Sequence, residues 1–140
     1  MIVADANLIA YLVLPGEWTE QAEAVFLADP GWAVPVLWAS ELRSLISRYV
    51  RSGSMTVAQG SAAMERAETL VDGREAPVDS RDVLQLSHDS GCSSYDCEYV
   101  ALAMFLEILL VTSDKAVLHA FPAVAISPEA FLAKFPDSSA

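Results

Sequence analysis

Two textures alternate along this chain. Short unbroken apolar runs stand at Met1–Ala4 (MIVA), Trp32–Val36 (WAVPV) and Ile108–Thr112 (ILLVT), with weaker ones at Ala76–Val78 and Ala123–Ile126. None alternates polar with apolar, as a strand with one wet face would. Continuous runs of this length predict strands buried on both sides. Between them lie stretches with helical spacing and recognisable ends. Asn7–Leu14 stops at Pro15-Gly16, and Thr19 is placed to cap a helix running to Ala28. Leu37–Ser52 ends at Gly53, and Thr56 caps a helix to Asp72 that ends at Gly73. Ser80–Ser90 closes at Gly91. Tyr95–Glu107, Asp114–Ala120 and Pro128–Phe135 complete the series. Gly after a helix and Ser, Thr or Asp before one are the expected stop and start signals. Strands alternating with helices predict an α/β fold with a mainly parallel sheet.

Two helices differ from the rest. After its first turn, DCEYVALAMFL is apolar on every side and should be a buried core helix. In Leu37–Ser52, by contrast, Leu42, Leu45, Ile46, Tyr49 and Val50 share one face. Arg43, Ser44, Ser47, Arg48 and Arg51 share the other, with Glu41 at its edge.

Composition narrows the class. The chain has 140 residues, 54% hydrophobic and 19% charged, which excludes a disordered chain. The length fits one domain, 1–135, followed by a short tail, 136–140. The longest apolar run, Val100–Leu106, is far below the ~20 residues of a membrane span. The N-terminus has no basic region and places Asp5 within its apolar stretch, so no signal peptide is expected. Two cysteines, Cys92 and Cys97, exclude a disulfide scaffold and suit a reducing, cytoplasmic location. Nineteen acids against eight bases give a net charge of −11, which argues against broad adhesion to nucleic acid or anionic lipid. Residues 1–40 carry no base at all, and six of the eight fall in residues 41–81. A basic patch is therefore possible only in the middle third, where Arg43, Arg48 and Arg51 form either a phosphate clamp or an ordinary solvated face.

Four acids carry the candidate chemistry. Asp5 and Asp114 follow two apolar runs, where sites of open α/β sheets lie, although each would also cap the next helix. Asp96 opens the buried helix, where the helix dipole favours it and poor solvation penalises it. Glu41 is a surface glutamate or a fourth member. If all four converge, several like charges share one crevice, and protons or cations must neutralise them. Hard divalent ions such as Mg²⁺ or Mn²⁺ take oxygen ligands, and phosphodiester hydrolysis is the chemistry that fits.

These segments resemble a known family. IVADANLIAYLV, PVLWASELRSLISRYV, SSYDCEYVALA and LLVTSDKAVL, in this order and at these intervals, are similar to segments of the PIN-domain ribonucleases, and most of all to VapC-type toxins of type II toxin–antitoxin pairs. The resemblance runs from Ile2 to about Phe135. It implies a PIN-like three-layer α/β/α fold and a metal-dependent endoribonuclease using Mg²⁺ or Mn²⁺. Asp5, Glu41, Asp96 and Asp114 would be its acidic metal-site residues, with Thr112 and Asn7 in support. Attack by a metal-activated water on tRNA, rRNA or mRNA would leave a 5′-phosphate and a 3′-hydroxyl. A homodimer and a cognate antitoxin protein are implied partners. Where such toxins often carry Asn three residues after the Glu, this chain has Ser44, which keeps a hydroxyl but loses the amide donors.

Other residues read more plainly. Asn7 and Ser94 could cap the helices of Asp5 and Asp96. His88 and His119 lack ligand spacing, Cys92-x₄-Cys97 is a poor zinc motif, and Cys97 should pack in the core. Trp18, Trp32 and Trp38 suit core or interface packing. Three alternatives stay open: a stand-alone RNA-processing nuclease, a haloacid-dehalogenase-like phosphatase and a non-catalytic acidic binding module. The phosphatase would need Asp where Asn7 stands.

Overall fold

The computed structural model describes residues 1–136; the expected tail lies, beyond Pro136, outside them. In chain order the elements are β1 (Ile2–Ala4), α1 (Ala6–Val13), α2 (Thr19–Ala28), β2 (Trp32–Pro35), α3 (Trp38–Arg51), α4 (Val57–Val71), β3 (Glu75–Ala76), α5 (Ser80–Ser90), α6 (Ser94–Leu106), β4 (Leu110–Val111), α7 (Lys115–Ala120), β5 (Ala125–Ile126) and α8 (Pro128–Lys134). The strands form one sheet in the order β3-β2-β1-β4-β5, with every pairing parallel. Ile2 is in register with Trp32, and Val3 with Leu110.

Alternate side chains of each strand enter different layers. Ile2, Ala4, Trp32, Val34 and Val111 pack with Leu8, Ile9, Leu42 and Ala63 of α1, α3 and α4. Val3, Ala33, Leu110 and Ala125 pack on the other face with Tyr99, Val100, Leu102 and Val117 of α6 and α7. This is a three-layer α/β/α arrangement, and it explains why β1, β2, β4 and β5 are apolar at every position, whereas the edge strand β3 carries the exposed Glu75. Among the described residues no helix is long and apolar enough to cross a membrane.

The helix ends follow local chemistry. Gly53, Gly73 and Gly91 adopt the positive φ that the sequence pattern assigned to them. Thr56 forms a capping box with Gln59. Four expectations need correction. Asp5, not Asn7, caps α1 by accepting from the Leu8 amide. Ser93, not Ser94, caps α6, because its hydroxyl stands three residues before the Asp96 amide. Thr19 is the first residue of α2 rather than its cap; its hydroxyl donates to the Leu14 carbonyl and accepts from the Gly16 amide, tying the Pro15-Gly16 turn. And α6 is not buried throughout, since Met104 and Phe105 are exposed where it runs past the sheet.

One close approach sets the α3–α4 packing. A Cβ added at Gly60 would stand 2.8 Å from Ile46 Cγ2. Ile46 is buried and β-branched, so it has little rotamer freedom. Ala is the better helix former by about 1 kcal/mol, but overpacking costs about 1–3. Gly60→Ala should therefore lose up to about 2 kcal/mol of stability, read as a lower midpoint in urea. A midpoint equal to or above the wild type would show that α4 shifts freely.

Candidate active site

The sheet reverses its direction of growth between β1 and β4, which are neighbours in space but far apart in sequence. Strand ends at such a point leave a crevice beyond the carboxyl edge of an open parallel sheet. Asp5 directly follows β1, and Asp114 stands three residues beyond Val111 of β4. Glu41 comes from the first turn of α3, and Asp96 from the first turn of α6. All four carboxylates line one cleft, together with Ala6, Asn7, Tyr99, Leu110, Thr112 and Val117. No Lys, Arg or His side chain is in that lining. The only ion pair among the described residues joins the Met1 amino group to Asp29, well away from the cleft acids. The cleft measures about 50 Å³. A water needs about 10–15 Å³, so there is room for an ion and a few waters.

Each acid is held in its own way. The Leu8 amide donates to Asp5 Oδ1 at 2.8 Å, and the Thr112 hydroxyl donates to Asp5 Oδ2. The same hydroxyl accepts from the Asp114 amide at 3.1 Å, so buried Thr112 joins the ends of β1 and β4. Asp114 caps α7 through the Val117 amide. The Tyr99 hydroxyl donates to Glu41 Oε1 at 2.6 Å. All four acids thus stand at the positive ends of helices, α1, α3, α6 and α7, where helix dipoles favour negative charge. The capping and site readings of Asp5 and Asp114 are compatible, because one oxygen caps while the carboxylate still faces the cleft.

Charge accumulates all the same. Burial pushes the Asp5 carboxyl up to about 6, against the opposing hydrogen bonds from Thr112 and Leu8, and the charges of Glu41 and Asp114 add to it. Burial also raises Glu41, opposed by the Tyr99 hydrogen bond and aided by the charge of Asp96. Asp96 is raised by burial and by Asp114. The couplings form a closed ring: Asp5 to Glu41, Glu41 to Asp96, Asp96 to Asp114, and Asp114 back to Asp5.

This donor set fits a hard divalent cation: it is all oxygen, it is uncompensated, and its members repel one another. Among the described residues no group of three or more His, Cys, Asp or Glu side chains is placed to hold a metal ion together. Mg²⁺ does not need one, because it keeps several waters and is commonly held by one or two carboxylates.

The remaining candidates lie elsewhere. Asn7 is at the cleft but exposed, and among the described residues its side chain hydrogen-bonds none of the four acids. Ser44 is exposed and does not line the cleft. Arg43 and Arg51 edge a separate groove between α3 and α4, and exposed Arg48 lines neither. Trp32, Trp38 and Cys97 are buried, whereas Trp18 is half exposed. Sequence reasoning passed over Tyr99. Its signal was its place three residues after Asp96, on the same side of a helix.

No protein-family model matches the chain. One curated relative, ribonuclease VapC3 of Pyrobaculum aerophilum, is 30% identical over 127 residues, spanning 88% of this chain and 96% of that protein. The crystal structure of PAE2754 from Pyrobaculum aerophilum superposes with a TM-score of 0.76 at 19% identity, over 96% of this chain and 88% of that one. A toxin–antitoxin complex from Klebsiella pneumoniae contains a chain matched with a TM-score of 0.66 at 13% identity, over 91% of this chain and 98% of that one.

Proposed function

The chain belongs to the VapC family of ribonucleases, and from that premise we propose that it is a divalent-cation-dependent endoribonuclease, the toxin of a toxin–antitoxin pair, which hydrolyses RNA phosphodiester bonds at Asp5, Glu41, Asp96 and Asp114. The observation that carries this reading is the meeting of four carboxylates from four separate segments in one cleft without a cationic side chain. A non-catalytic module has no use for such repulsion, and a capping role alone would not turn Glu41 inward.

Asp5, Asp96 and Asp114, with Glu41, would hold Mg²⁺ or Mn²⁺. When bound, the ion supplies positive charge for the phosphate and polarises a water. The chain's own groups do the rest. Thr112 and the Leu8 amide fix both oxygens of Asp5, so the carboxylate cannot turn away. The N-termini of α1, α3, α6 and α7 add positive potential where a phosphate must approach. Arg43, Arg48 and Arg51 on the outer face of α3 are the groups to hold the flanking backbone of an otherwise repelled RNA.

The likeness to a chain in a toxin–antitoxin complex supports a cognate antitoxin as the protein partner. An antitoxin arginine in the acidic cleft would replace the cation's charge and keep RNA out. A homodimer and a cytoplasmic location complete the reading.

The ends of the products test the chemistry. Attack by water in line with the departing 3′-oxygen leaves a 5′-phosphate and a 3′-hydroxyl. Cut RNA should therefore accept ligation at its 5′ ends without prior phosphorylation. Ends carrying 2′,3′-cyclic phosphate and 5′-hydroxyl would mean attack by the ribose hydroxyl and would remove the hydrolytic mechanism.

A further inference from the structure

We propose that Tyr99 is a positioning residue for the acidic site: its hydroxyl holds Glu41 Oε1 so that the other carboxylate oxygen is presented to the cleft, and this sets the affinity for the divalent cation. The proposal rests on the metal-dependent reading above. Glu41 and Tyr99 are 58 residues apart and meet across the cleft from α3 and α6. Tyr99 is 4% exposed, and its ring packs among Val3, Val100, Leu102 and Leu110. Phe would fill that space equally well. The one polar atom of this side chain is spent on Glu41, at 2.6 Å. A phenol has a single proton to give, so the bond has one direction.

Glu41 needs such a partner. Among the described residues Tyr99 supplies its one side-chain hydrogen bond. Glu41 sits at the border of the polar face of α3, half-buried, and a small rotation of its long side chain would carry it to water. Burial and the charge of Asp96 both favour that departure. Tyr99 opposes it, and stands one helical turn after Asp96 on the same helix. A single turn of α6 therefore presents one acid directly and fixes a second through its phenol. Groups that orient metal ligands by hydrogen bonds typically cost ten- to a hundredfold in metal affinity or activity when removed.

A four-protein cycle tests this: wild type, Tyr99→Phe, Glu41→Gln and the double variant, each assayed for Mn²⁺ binding from the spin-resonance signal of the free ion. Melting curves check that every protein is folded. Tyr99→Phe should weaken Mn²⁺ binding by about ten- to a hundredfold, and excess Mn²⁺ should recover its RNA cleavage. In the Glu41→Gln background the same substitution should change binding by less than about twofold, since coupled groups are not additive. Wild-type Mn²⁺ affinity in Tyr99→Phe overturns the proposal and leaves the metal reading standing. An equal loss in both backgrounds assigns Tyr99 to packing alone and also overturns it. A wild type that binds no Mn²⁺ overturns the metal reading, and the proposal with it.

Discussion

At pH 8 and without divalent ions, the Asp5→Asn chain should melt above the wild type, yet with Mg²⁺ it should cut RNA about a thousandfold more slowly. The two effects have one origin. Burial, and then neighbouring charge, lift the Asp5 pKa from an ordinary 3.8 to about 6 in the folded chain. Between those values the folded chain holds a proton that the unfolded chain has released. Stability therefore falls as pH rises through this window, and the whole deficit is present above about pH 6. At about 1.4 kcal/mol per unit the upper bound is about 3 kcal/mol. Asn carries no charge to bury. Its oxygen keeps the Leu8 amide, and its amide group can donate to the Thr112 hydroxyl. The expected gain is about 1–3 kcal/mol at pH 8, vanishing near pH 4, and would read as several degrees in calorimetry. Cleavage needs the charge that folding disfavours. Losing about 4 kcal/mol of transition-state stabilisation slows a reaction about a thousandfold. An Asn variant less stable at pH 8, or as active as the wild type, would contradict this role for Asp5.

Divalent ions should reverse the wild-type deficit. At pH 8, Mg²⁺ or Mn²⁺ should raise the melting temperature of the wild type, and EDTA should abolish cleavage. A ligand at a hundred times its dissociation constant adds about 2.7 kcal/mol to folding, or about 8–10 °C for a chain of this size. In Asp96→Asn the shift should shrink, because one charge of the ring is gone. Equal shifts in both proteins would place the ion elsewhere on an acidic surface.

Much of the fold was legible because its signals are local. Unbroken apolar runs announced buried strands, and Gly53, Gly73 and Gly91 marked helix ends that require a positive φ. Errors arose where neighbours compete for one task. Ser93 and Ser94 differ as caps only by which hydroxyl faces the Asp96 amide, and Asp5 outcompetes Asn7 by standing one residue before the helix. Strand lengths were overestimated, since Ile108–Thr112 pairs regularly only over Leu110–Val111. The apolar end of α6 looked buried, but Phe105 extends beyond the layer that would cover it. The acids themselves were legible from their places after strands and at helix starts, and from the resemblance. Their meeting was not, because it depends on β1 and β4 becoming neighbours across most of the chain. Tyr99 was hidden for a related reason. On an apolar helix a tyrosine reads as core, and only its contact with a residue 58 positions earlier gives the hydroxyl a purpose.

The proposed chemistry is hydrolysis of RNA by a divalent cation gathered at four carboxylates. Its most direct test is cleavage of total tRNA by the purified chain, freed of any copurified protein, with Mg²⁺ or Mn²⁺, with EDTA, and with Asp96→Asn in place of the wild type. Discrete cuts should appear with either metal, and none in the other two reactions. Cuts that persist in EDTA or in folded Asp96→Asn would contradict this chemistry.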